Sequence, residues 1–229
     1  MERHCEEYES SSRNYVYSKA KDGAWKVVSR EASIVDGLRD EPWDIVTMQE
    51  ASGVSGIYDN YEEWLPRLAG IIRKEVSNPR AALVWHQTWA YATNSDHPRF
   101  PDYGKDQERM QASIQSCVDK LCDEFGIETV IPSGVAVAMA RRTRLNNSDS
   151  VPSTCKVYEL TRDGYHLNRQ HGRYLAACVW FETLVKPTLG VPVKGNDYRL
   201  LDTEYSIPKA DAKLCQSIAA KAVKRATRK

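Results

Sequence analysis

Residues 43–49, Trp43-Asp44-Ile45-Val46-Thr47-Met48-Gln49, decide the fold that this sequence predicts. A short apolar run that stops at a polar cluster is typical of a strand buried on both faces of a parallel sheet. Similar runs recur at 81–85 and 128–131, and the stretches between them carry apolar residues at helical spacing. Strands that alternate with helices in this way favour an α/β domain with parallel strands and right-handed crossovers.

The other segments are read around these three strands, which are few for 229 residues. Alternating aromatic and apolar residues around Asp22-Gly23 predict a β-hairpin over 13–29. The loop Thr93–Tyr103 fits either a lid over a strand end or plain surface, and the polar connection Thr143–Lys156 is expected to be variable and mobile. Helices are predicted over 31–39, 58–76, 106–125, 135–141, the stretch after 166, and an amphipathic C-terminal segment at 208–229.

Composition indicates which partners to expect. The chain has 32 Lys plus Arg against 31 Asp plus Glu, so no global field favours nucleic acid or a membrane surface. Met1–Glu9 is charged and does not read as a signal sequence. The six cysteines are scattered without a C-x-x-C pair, so we expect no metal and no cofactor. The sequence predicts one domain over 1–229, and it does not indicate an oligomeric state.

In open parallel sheets, ligands bind beyond the carboxyl ends of the strands. The residues after the three strands are Gln49–Ser52, His86–Trp89 and Pro132–Gly134. They are polar or aromatic where the strands are apolar. Aromatic faces pack on the C–H surface of a sugar and amides bond hydroxyls, so these strand ends predict a binding pocket.

A histidine and a carboxylate are paired in Thr161-Arg162-Asp163-Gly164-Tyr165-His166-Leu167-Asn168. At this spacing Asp163 can fix the tautomer and orientation of His166, whose free ring nitrogen then acts as a general base. The same spacing also fits a glycine turn in which Asp163 only satisfies backbone donors. The spacing by itself leaves both interpretations open.

Four blocks of the sequence, 43–52, 86–91, 130–134 and 161–168, occur in an order that resembles a bacterial branch of the SGNH (GDSL-like) hydrolase superfamily, known as domain of unknown function 4886. The resemblance runs from the first residues to about Leu184. It implies a flavodoxin-like three-layer α/β/α sandwich with about five parallel strands. It also implies ester hydrolysis, commonly the removal of acyl groups from carbohydrates or lipids, and export in bacteria.

The resemblance assigns roles to residues of this chain. Asp163 and His166 match the superfamily's acid and base, and Gln49, less directly Ser52, lies near the place where a side chain helps to hold the oxyanion. Gln87, Trp89 and Tyr91 are expected to contact a small-molecule or carbohydrate ester, although Trp89 could equally pack in the core. His86 could join them, but a histidine that ends an apolar strand is more often half-buried and satisfied by its neighbours.

The superfamily's nucleophilic serine lies in a Gly-Asp-Ser or Gly-Asn-Ser motif after the first strand, and neither motif occurs here. We therefore expect the chain to begin downstream of that motif and to lack the first, nucleophile-bearing strand. The 229 residues alone are then expected to be inactive and poorly stable.

Three alternatives stay open. Ser52 or Ser55 could replace the missing nucleophile. The protein could instead be a non-catalytic relative that binds carbohydrate in the same pocket. A metal-dependent hydrolase built from His86, His97, Asp102 and His166 is the third, although the spacing of these residues resembles no common ligand set.

Overall fold

A computed structural model describes residues 1–146, 160–199, 201 and 205–227. Its central sheet has three parallel strands in the order β3-β4-β5, namely β3 (Ile45–Met48), β4 (Ala82–His86) and β5 (Thr129–Ile131). The predicted α/β class is confirmed. An antiparallel hairpin, β1 (Tyr15–Lys21) and β2 (Ala24–Ala32), forms a separate two-stranded sheet.

Eight helices accompany the strands in the described part of the chain. Asp106 accepts a hydrogen bond from the Arg109 N–H and caps α4, and Gly126 ends that helix in the left-handed region. The bounds of the helices are α1 (Glu2–Glu9), α2 (Ile34–Arg39), α3 (Asp59–Glu75), α4 (Gln107–Phe125), α5 (Ser133–Ala140), α6 (His171–Trp180), α7 (Lys186–Leu189) and α8 (Lys209–Ala226).

Two apolar cores lie on opposite faces of the sheet. Helices α1, α3 and α4 pack on one face, with Leu65, Trp85 and Leu121 fully buried among them. Helices α5, α6 and α8 pack on the other face around Val84, Ile131 and other buried side chains. This arrangement of helices, sheet and helices is a three-layer α/β/α sandwich, as the sequence predicted.

Several boundaries differ from the expected ones. Helix α2 begins at Ile34 rather than at Glu31, because β2 continues to Ala32 and Ser33 forms a capping box with Asp36. Pro66 does not break α3. The helix after β5 starts earlier than expected, at Ser133. Residues 147–156 of the expected polar connection Thr143–Lys156 lie outside the described residues, as does Cys155.

Strand β3 differs from the rest of the sheet, because helices cover only one of its two faces. Successive side chains of a strand point to opposite faces, and Val46 and Met48 face the core of α1, α3 and α4. Ile45, Thr47 and Gln49 point the other way and are exposed. Within the described residues β3 also pairs only with β4, so one edge and one face of a parallel strand are open.

The C-terminal helix α8 is tied to α6 by a buried polar network. The Nε2 atom of His171 lies 3.1 Å from Oδ2 of Asp211, and both side chains are almost fully buried. Arg144 donates to the other oxygen of Asp211 through Nε at 3.0 Å. The apolar stripe expected on this helix faces the core, where Ile218 and Ala222 are buried.

The turn from β5 into α5 packs against the residues after β4. The Gly134 N–H donates to the Gln87 carbonyl at 3.1 Å, and a Cβ added at Gly134 would lie 2.1 Å from the Thr88 carbonyl oxygen. Only glycine permits this approach.

We predict that Gly134→Ala lowers the free energy of unfolding by about 1–3 kcal/mol or more, because the backbone must shift to relieve the overlap. Gly70→Ala is the matched control. Gly70 lies within α3 with open space around it, and the same change there should raise stability by about 1 kcal/mol through helix propensity. Denaturant titration of both variants measures the difference, and equal stabilities would contradict the packing described for residue 134.

Candidate active site

Asp163 hydrogen-bonds both the imidazole ring and the backbone N–H of His166. Nδ1 of His166 lies 2.7 Å from Oδ2 of Asp163. The other carboxylate oxygen accepts the His166 N–H at 2.7 Å and the Tyr165 N–H at 3.2 Å. This geometry is compatible with both the turn interpretation and the acid–base interpretation, because one carboxylate caps the turn and orients the ring.

The orientation leaves Nε2 of His166 available to a reactant. The side chain of His166 is 56% exposed, and no described residue hydrogen-bonds its Nε2 atom. Partial burial of Asp163 acts to raise its pKa, but the hydrogen bonds from the ring and the backbone of His166 outweigh it, so the pKa of Asp163 lies below its ordinary value. The carboxylate is therefore ionised at neutral pH and favours a proton on Nδ1.

Both ends of the turn are fixed. Thr161 and Leu167 form an antiparallel bridge, and Asn168 accepts the N–H groups of Gln170 and Gly172 at the start of α6. Gly164 has a φ of 85°, which an L side chain adopts only with strain. The turn is thus held by the helix that follows it.

The segment after β4 holds the turn from the other side. Nε1 of Trp89 donates to the Tyr165 carbonyl at 2.7 Å, and the Ala92 N–H donates to the Gly164 carbonyl at 2.7 Å. A Cβ at Gly164 would lie 2.9 Å from Cα of Ser95. The residues that hold the His166 turn therefore lie mostly just before the loop Thr93–Tyr103, and Ser95 is the loop residue that packs against Gly164.

His86 is the polar centre at the strand ends. Its Nδ1 lies 2.7 Å from Oε1 of Gln49, and its Nε2 lies 2.9 Å from Oγ of Ser133 and 3.3 Å from Nε1 of Trp180. Burial lowers the pKa of His86 to about 4, so the ring is neutral at physiological pH. His86 joins β3, β4, α5 and α6 at one point.

Of the residues predicted to bind substrate, some are accessible to solvent and others are buried. Gln49 is exposed, and Trp89 is half-buried with its N–H already taken by Tyr165. Gln87 and Tyr91 are 1% and 0% exposed, so in this conformation neither can contact a ligand. Gln87 instead bonds Gln115 and the Val135 N–H, which is a packing role. His86 is likewise buried behind Gln49.

No described serine is placed as a nucleophile for His166. Oγ of Ser52 lies 3.2 Å from the Tyr91 hydroxyl, and Ser55 is buried with its hydroxyl bonded to the Ser52 carbonyl. Ser133 does contact a histidine, His86. It is fully buried, however, and shares the Nε2 lone pair with an indole N–H, so that contact is structural.

The proposed metal ligands do not meet. His86 contacts Gln49 and Ser133, His97 contacts the Tyr91 hydroxyl and the Arg99 N–H, and His166 contacts Asp163. Asp102 pairs with Arg99. Among the described residues no three His, Cys, Asp or Glu side chains are grouped to hold a metal ion.

Sequence reasoning missed two aromatic residues of the site. The half-buried ring of Tyr165 lies 4.5 Å from His166 and 4.8 Å from His97, between centroids. Tyr165 lies between Asp163 and His166 in the block 161–168, and that position could have indicated that it belongs to the site. Trp180, which donates to His86, lies ten residues into α6 and had no such signal.

Comparison with known proteins identifies the family. The model of the DUF4886 family, a domain of unknown function, matches residues 1–222, and the chain belongs to this family. A crystal structure of a DUF4886 family protein from Bacteroides uniformis ATCC 8492 is 36% identical, with a TM-score of 0.83, over 99% of this chain and 80% of that chain. No protein with a curated description matches significantly.

No described helix is long and apolar enough to cross a membrane.

The buried, neutral His86 predicts a pH-dependent stability. Its pKa is about 4 in the folded state and about 6.5 when unfolded, so the unfolded chain binds the extra proton between these values. The contribution of His86 is complete above about pH 6.5 and is lost as the pH falls towards 4, by about 3 kcal/mol. His86→Asn should flatten this slope in urea titrations at each pH. An unchanged slope in the variant would contradict a neutral buried His86.

Proposed function

We propose that the protein is an ester hydrolase of the SGNH type that removes acyl groups, acetyl in particular, from carbohydrates. The oriented pair Asp163 and His166, with an exposed Nε2, is the observation that carries the proposal. Asp163 orients the imidazole, and His166 acts as base and then as acid. The serine comes from a segment outside these 229 residues.

The reaction has two halves. The serine oxygen attacks the ester carbonyl carbon while Nε2 of His166 takes the serine proton, and the Gln49 amide with backbone N–H groups binds the oxyanion. The C–O bond to the alcohol then breaks, and His166 returns the proton to that leaving oxygen. Water, deprotonated by His166, attacks the acyl-serine and releases the acid and the free serine.

The open side of β3 supports a place for the serine. Ile45, Thr47 and Gln49 are exposed on a face that parallel strands normally bury, beside a strand edge with which no described strand pairs. A strand and helix packed there would stand next to Gln49. Such a segment would also cover the exposed apolar surface of Ile45, which is 39% exposed.

Tyr165 supports a carbohydrate as the leaving group. The ring is half-buried beside His166, so an ester whose leaving oxygen takes a proton from Nε2 would place its alcohol near an aromatic face. Aromatic faces pack on the C–H surface of pyranose rings. Trp89 and Tyr91 were predicted for this role; Tyr91 is fully buried, so we assign it to Tyr165 beside the half-buried Trp89.

A second candidate is a carbohydrate-binding relative without catalysis. It is favoured by one observation, that no described serine hydrogen-bonds His166, whose bonded side-chain partner is Asp163. Under this candidate Tyr165 and Gln49 bind sugar, and the pair Asp163 and His166 is a hydrogen-bonding group of the pocket.

Labelling by a fluorophosphonate separates the two candidates. We expect the product of the gene's full open reading frame to be labelled on one serine and to deacetylate acetylated sugars. His166→Ala should abolish labelling, and Asp163→Asn should reduce turnover by about 10² or more, because the ring loses its correct tautomer. Trp25→Ala is the control, since the Trp25 side chain is 76% exposed on the β1–β2 hairpin.

Tight sugar binding without labelling or turnover would instead establish the binding relative. Labelling that survives His166→Ala would show that a different base activates the serine.

A further inference from the structure

The contacts of His86 fix its protonation. An indole N–H can only donate, and Nε1 of Trp180 points at Nε2 of His86. Nε2 must therefore carry the lone pair, which also accepts the Ser133 hydroxyl. Since the neutral ring has one proton, that proton lies on Nδ1.

The tautomer of His86 in turn fixes the orientation of the Gln49 side-chain amide. Nδ1–H donates, so the Gln49 atom at 2.7 Å is the carbonyl oxygen Oε1. The amide nitrogen then points away from His86. No described residue accepts from it, and the Gln49 side chain is exposed on the open face of β3. Without this constraint an exposed glutamine amide would present either its oxygen or its nitrogen.

We propose that His86 is a positioning residue that holds the Gln49 amide with its N–H groups towards the reacting carbonyl, so that Gln49 donates to the oxyanion. This inference rests on the proposed ester hydrolysis. It gives a catalytic purpose to a histidine that the acid–base mechanism does not use.

Three further observations agree with a fixed donor. His86 is 8% exposed, so water does not compete for Nδ1. The indole of Trp180 and the ring of Trp89 pack edge-on against His86, with centroids 5.1 and 6.4 Å away, and prevent the ring from flipping. The groups that contact the ring, Gln49, Ser133, Trp89 and Trp180, are all uncharged, so burial dominates and the ring stays neutral across the pH range of ester hydrolysis.

The tautomer can be measured on the chain as it stands. Long-range ¹H–¹⁵N spectra of labelled protein should show a histidine that keeps a proton on Nδ1 and a bare Nε2 from pH 8 down to about pH 5. His86→Asn should remove that signal, whereas His166→Ala, which removes the other histidine held through Nδ1, should leave it in place. A proton on Nε2 of His86 at neutral pH would overturn the inference.

The kinetic test uses the product of the full open reading frame. Gln49→Glu keeps an acceptor for Nδ1–H but has no N–H groups, and kcat should fall by about 10²–10³-fold with little change in KM. His86→Phe keeps a ring and releases the Gln49 amide, so kcat should fall by about tenfold. His86→Asn retains an N–H close to the position of Nδ1 and should recover most of that loss.

The outcomes separate the two proposals. A wild-type protein without esterase turnover would overturn the proposed function, and the role of Gln49 with it, while the tautomer would still be observed. Turnover that is unchanged in folded His86→Phe, judged by its melting temperature, would overturn the positioning role alone. A His86→Asn variant as slow as His86→Phe would show that the loss is structural and would also overturn it.

Discussion

The junction between the end of β4 and the turn that carries His166 is the constraint on which the site depends. Two hydrogen bonds, from Trp89 to the Tyr165 carbonyl and from the Ala92 N–H to the Gly164 carbonyl, tie a loop to the end of a buried strand. Exposed loops ordinarily move, and a general base must hold its position to within a fraction of an ångström. The strand end supplies that rigidity, and the glycine at 164 permits the approach of the two backbones.

One face of β3 packs in the apolar core, and the other carries the site residue Gln49. One face is covered by α1, α3 and α4, which supply an apolar core. The other face carries Ile45, Thr47 and Gln49 in the open, and there the amide of Gln49 is oriented by a buried histidine. A bare face next to a bare strand edge costs stability, since neither the apolar surface nor the backbone groups are buried or paired. Under the proposed function, this open face is where the segment that carries the serine would pack.

The fold was predictable because its signals are local. Short apolar runs that end at polar clusters marked all three parallel strands, and Asp22-Gly23 marked the hairpin, where both residues adopt positive φ. The start of α2 was misplaced because no glycine or proline separates the end of β2 from the start of the helix. The DUF4886 family was also identified from four short blocks, and the family model matches residues 1–222.

The site was predictable only where its residues are neighbours in sequence. Asp163 and His166 are three residues apart, so a turn brings them together. The contact of His86 with Gln49, Ser133 and Trp180 spans separations of 37, 47 and 94 residues, which no local pattern encodes. For the same reason Tyr91 was predicted to contact substrate, although it is fully buried in a cluster with Phe100, Met110 and Ile114.

A crystal structure of the full open reading frame after reaction with a phosphonate ester tests the central claim most directly. We predict a phosphonylated serine whose Oγ is within about 3 Å of Nε2 of His166, with a phosphoryl oxygen accepting from the Gln49 amide. A modified residue remote from His166, or a Gln49 amide turned away from the phosphoryl oxygen, would contradict it.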